Sequence, residues 1–176
     1  GRGVQGGDLR VLAGDGQENS GGELLISSGA GQTEGSGAIN MATSEVTDAG
    51  RSGEIALATG ESEGGDSGNV LLRSGDAERA SGNIEIAGGA AAAGVGGSFV
   101  ASAGDGASAG GEIEVVAGTG SSGGDLSLSA GQGNSGDGGS IELDAGEAIS
   151  SGVGGAIRVS AGASSDVGGE LALSAG

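Results

Sequence analysis

Carboxylates are the one chemically active side chain present in quantity, and they recur in a column. Asp8, Glu23, Glu54, Glu112, Asp125 and Glu170 each directly follow a glycine, and Ala38, Asn69, Asn83, Ser98, Ser140 and Ala156 hold the same place elsewhere. An all-oxygen set of this kind suits hard cations. Glu112 and Asp125, on neighbouring copies of a repeat, are the candidate ligands, and calcium is the ion they would take; no other cofactor is expected. The column also reads as a solvated acidic face, because like charges on adjacent strands repel and hold chains apart. Neither the EF-hand spacing nor a nine-residue Gly-Gly-x-Gly-x-Asp period occurs. Gly136-Asp137-Gly138-Gly139 is an isolated match in a chain with 46 glycines.

The inventory speaks against catalysis. There is no His, Cys, Lys or Tyr, so nucleophiles reduce to serine and threonine with only carboxylates as base. A carboxylate pair could hydrolyse glycosides, but nothing singles out one pair among 24 acidic residues. The only aromatic residue, Phe99, falls in a repeat slot expected to face inward. No Gly-Lys-Ser/Thr phosphate loop can exist without lysine. No enzyme and no catalytic residue is expected.

Charge narrows the partners. Six arginines against 24 acidic residues leave a formal charge of -18 and a pI near 4.1. Such a chain repels nucleic acid and anionic membrane surfaces, and no apolar run is long enough to insert into a bilayer. The absence of cysteine excludes disulfides and thiolate metal sites without fixing a compartment. Leu, Ile, Val and Phe make up 33 of 176 residues, which with this charge is the composition of a disordered chain. Their placement argues otherwise.

Paired aliphatics recur every 13 to 16 residues, from Leu9/Val11 and Leu24/Ile26 to Ile157/Val159 and Leu171/Leu173. The cleanest copy is Gly123–Gly131, Gly-Gly-Asp-Leu-Ser-Leu-Ser-Ala-Gly. There are twelve copies, and their 24 paired slots hold 22 of those 33 residues. The exceptions are Met41 and Ala101, the latter beside Phe99. Alternation with period two marks a strand with i and i+2 on one face. Leu126, Leu128 and Ala130 are then expected inward, with Asp125, Ser127 and Ser129 outward.

Two aliphatics contribute roughly 3–6 kcal/mol on burial, whereas ordering each residue costs roughly 1–2 kcal/mol, so one copy cannot fold alone. Stacked copies would gain ladders and mutual burial. The expected fold is all-β: a single-chain β-solenoid of about twelve coils, about 15 residues per coil, with a thin core. One repeat region would cover 1–176, with coils beginning near 6, 21, 36, 52, 67, 81, 96, 110, 123, 138, 154 and 168.

The third inward slot is small in every copy, from Ala13, Ser28 and Thr43 to Ala145, Ala161 and Ala175, which implies that backbone approaches it closely. The glycine before the polar column never varies, whereas the residue before that becomes serine at Ser36, Ser52, Ser67 and Ser81. The second glycine is therefore the one that must be glycine, with the doublet and the closing Ala-Gly or Ser-Gly as the two corners of each coil. The connecting stretches read as a second wall. Gly89–Gly97 with Val95, and Val153 and Val167, fit a buried wall better than a solvated loop. Leu12, Leu25, Leu71, Val100 and Val116 fall in outward slots and form a candidate interface.

The phrases at 123–131 and at 138–146, Gly-Gly-Ser-Ile-Glu-Leu-Asp-Ala-Gly, resemble glycine-rich repeats in large surface filament proteins of algae and protists, including the flagellar hairs called mastigonemes. Phage tail fibres carry similar phrases. The resemblance covers 6–176 and implies a secreted structural shaft at the cell surface, with copies of itself or other filament subunits as partners; it carries over no functional residue. A cation-dependent adhesin or an ice- or mineral-surface binding module is the alternative, although five threonines without a Thr-x-Thr argue against ice. The opening Gly1-Arg-Gly-Val-Gln resembles the tail of a preceding copy and the chain stops at Ala175-Gly176, so an uncapped segment of a longer protein is expected.

Overall fold

The computed structural model describes residues 6–149 and 151–175; the expectations for the opening pentapeptide and for Gly176 fall outside them. The chain divides into two units, Gly1–Ile86 and Ala87–Gly176. In both, the structural period is the sequence period. Each phrase lies in an unbent stretch, and each connection carries a bend, at 17–19, 32–34, 48–49, 63–65 and 78–79 in the first unit. The second unit bends at 92–94, 107–108, 120–122, 134–136, 149, 151–152 and 165–166.

The connection closes on itself. The N–H of Gly22 donates to the carbonyl of Gly14 at 2.8 Å, and Gly37 to Gly29 at 2.9 Å. In the second unit the bond recurs from Gly97 to Gly89, Gly111 to Gly104, Gly124 to Gly118, Gly139 to Gly131, Gly155 to Gly146 and Gly169 to Gly162. The donor is always the invariant glycine and the acceptor always the glycine that ends the preceding phrase. The doublet and the closing glycine are thus the two lips of one loop mouth, not two separate corners.

The small slot is explained at the same point. A Cβ on Gly22 would lie 3.3 Å from the Cβ of Ala13, and one on Gly111 3.2 Å from that of Ala103. The invariant glycine crosses directly over the small residue of the preceding phrase, so a side chain on either partner pushes the lips apart. The first doublet glycine has more room: Gly154 would meet only the Gly146 carbonyl, at 3.7 Å. Serine is accordingly accepted there. Threonine in the small slot goes with a missing closing bond: a Cβ on Gly53 would lie 3.3 Å from Thr43 Cγ2, and one on Gly68 3.5 Å from Thr59 Cγ2. Serine occurs both ways, with the bond at Ser28 and without it at Ser74. Loop 60–68 is tied locally, Gly65 N–H donating to Ser62 Oγ at 3.2 Å. In loop 44–50, Val46 Cγ1 lies 3.0 Å from the Cβ position of Gly50, whose N–H donates to the Asp48 carbonyl at 2.8 Å.

These loops overturn the single-chain β-solenoid. A coil needs its connection to carry the chain back along the phrase, roughly 20 Å for six residues at about 3.3 Å each. A closed mouth instead returns it to where the phrase ended. Among the described residues there is no strand and no helix, and the longest backbone hydrogen bond spans nine residues, short of the repeat. No ladder joins successive phrases. Nor is there a thin core: among the described residues none is buried, and Leu126 and Leu128, expected inward, are exposed. The Gly89–Gly97 wall is a closed loop with nothing behind it, and Val95 is 95 % exposed; Val153 and Val167 are exposed as well. The composition, low in large apolar residues, describes the isolated chain better than the periodicity does.

The closing bonds should be measurable one by one. A bond worth about 0.5–1.5 kcal/mol slows amide exchange roughly twofold to tenfold, so the amides of Gly22, Gly111 and Gly155 should exchange more slowly than those of Gly53, Gly68 and Gly82. Ala103→Thr should erase the protection of Gly111, and Thr59→Ala should create it at Gly68. Equal exchange in both sets, read by NMR, would refute the mouth geometry.

Candidate interaction surface

Each phrase presents two kinds of unmet capacity. Its backbone N–H and C=O groups take part in no described hydrogen bond, since every bonded backbone group belongs to a loop or its mouth. Its aliphatics have no interior to enter. The described residues carry nine backbone–backbone bonds and two from backbone to serine, where a folded domain has roughly one bond per residue. The exposed area is 17,908 Å². A folded monomer of 16.0 kDa exposes about 7,400 Å² and an unfolded one about 23,000 Å². The chain keeps most of its surface open while holding its loops closed.

The five outward aliphatics expected at an interface, Leu12, Leu25, Leu71, Val100 and Val116, are 74–83 % exposed. They are not set apart from the rest of the phrase. The paired slots expected inward are open too, although the first member is partly sheltered, Ile39 and Ile84 being 48 % exposed. The surface able to meet a partner is therefore the whole phrase, both faces and its backbone. The inward slots were missed as surface because alternation was taken to imply a core; the low total of large apolar residues was the signal against it.

Glu112 and Asp125 each follow a mouth glycine, Gly111 and Gly124, and both are exposed. Among the described residues no three acidic side chains gather into a metal-holding group. No pocket is present among them, and no helix is long and apolar enough to cross a membrane. Compared with protein-family models, with curated proteins and with solved structures, the chain matches none.

A surface built from independent phrases should tolerate damage locally. Replacing Leu126 and Leu128 by serine would cost about 2–5 kcal/mol per site in a packed core. Here the change should leave amide chemical shifts unaltered beyond the flanking loops 118–124 and 131–139. Shift changes spread across many copies would show a shared interior and contradict this.

Proposed function

We propose that the chain is a structural segment of an extracellular filament or surface appendage, one that works by repeated contact with copies of itself or with other filament subunits. The observation that carries this is the recurrence of one closed loop at the sequence's own period, each loop followed by a phrase whose aliphatics and backbone are open to a partner. A unit repeated this way distributes binding along the chain. The resemblance of the phrases at 123–131 and 138–146 to repeats of surface filaments adds the setting, a secreted shaft at the cell surface.

Charge sets the conditions. With a formal charge of -18 per chain, association is opposed at low ionic strength, where the Debye length is about 30 Å, and eased near 0.15 M, where it is about 8 Å. Light scattering should show the chain's mass rising with salt, and electron microscopy should show elongated assemblies. Compact, isolated particles at every ionic strength would exclude the structural reading.

A further inference from the structure

The loop mouths are more uniform than the loops they close. Mouths close at 2.8–2.9 Å whether the loop spans six residues, as from Gly118 to Gly124, or nine, as from Gly146 to Gly155. Where the bond is missing, the glycine still sits against Thr43, Thr59 or Ser74. Differences in loop length are thus absorbed in the loop, so whole-copy offsets are the registers at which the phrases of two chains would match. Parallel pairing sets aliphatic beside aliphatic and small slot beside small slot at once; antiparallel pairing puts either the first aliphatic opposite the small residue or, two residues out, the small slot opposite the second doublet residue.

Charge then chooses the offset. Each phrase has three polar slots, represented by Asp125, Ser127 and Ser129, which carry thirteen charged residues over the twelve copies. Two chains paired with no offset would set each of the thirteen against its own duplicate. An offset of five copies places Arg10 beside Glu85, Arg73 beside Asp144 and Glu85 beside Arg158, with one like-charged meeting, Glu54 with Asp125. It also sets Leu25 beside Val100, two exposed aliphatics of the middle polar slot. Every other whole-copy offset gives at most one pair of opposite charges.

We propose that copies of this chain associate in parallel, staggered by five repeats, so that the first seven phrases of one chain lie along the last seven of the next. The contact is heterologous: the early phrases of each chain meet the late phrases of its neighbour. Such a contact does not close unless a rotation brings it round, and otherwise it propagates. Pairing supplies the phrase backbones with partners by strand addition and covers aliphatics that the single chain leaves open. This rests on the structural reading above and gives it a partner, a register and a direction of growth.

The chain has no cysteine, so an introduced thiol is unique. Ala56 and Ser127, the middle polar slots of the fourth and ninth copies, are exposed and uncharged and face each other at this offset. Mixing full-length Ala56→Cys and Ser127→Cys chains under a mild oxidant should give the mixed disulfide several-fold above either same-position disulfide. A chain carrying both changes should give a ladder of covalent oligomers. Arg73→Asp or Asp144→Arg alone should weaken association roughly twofold to fivefold, the range for an exposed pair, and both changes in one chain should restore it. Same-position disulfides equal to or above the mixed product, or single charge changes without effect, overturn the stagger. Elongated assemblies with only same-position disulfides remove the stagger and leave the shaft; compact isolated particles remove both.

Discussion

Everything regular in this molecule depends on the close approach of one glycine to one small side chain. The invariant glycine passes over the residue two places beyond the second aliphatic, and its N–H reaches the next carbonyl. No charged or aromatic group takes part. Because the contact is backbone against a methyl or hydroxymethyl group, it survives any loop sequence that can turn round. Loop 29–37 turns with Gly35 at φ +108°, and loop 89–97 with Gly94 at φ +138°, a region that costs glycine nothing. Chains of quite different loop composition are gathered to one mouth.

A closed loop is a local arrangement, and it leaves the phrase between two loops with its needs unmet. Backbone groups left unpaired invite pairing, as they do at the edge of a sheet, where natural proteins usually blunt them with charge. Here charge lies in the very slots that would flank a neighbour, which selects among registers without forbidding contact. In the proposed assembly the acidic column has a second bearing: Glu112 and Asp125 are exposed, and repulsion between such carboxylates would bear on how two chains align.

The repeat, its period, its invariant glycine and its small slot were legible in the sequence, because each follows from local sterics. Gly111 over Ala103 is the kind of contact that an unvarying glycine and a small partner announce. The architecture was not legible. Period-two alternation at Leu126 and Leu128 gives two faces but does not say what covers them, and a ladder within one chain was only the nearest candidate. What decided the matter was the path of the connection, a property of the mouth bond spanning six to nine residues, which neither hydrophobic pattern nor loop composition encodes. The same error placed Val95 in a wall. The candidate interface residues Leu12, Leu25, Leu71, Val100 and Val116 are exposed, but so are the paired slots that were expected to face inward.

The openness of the aliphatics has a thermodynamic consequence. Heat-capacity change and cooperative melting both come from apolar area exposed on unfolding, and the single chain has little left to expose. It therefore has no melting temperature in the usual sense: its loops open independently, each over a small free-energy gap. Cooperativity can enter only through assembly, where stability becomes a function of chain concentration. In the proposed assembly, folding in bulk and polymerising are one phase boundary rather than two successive events.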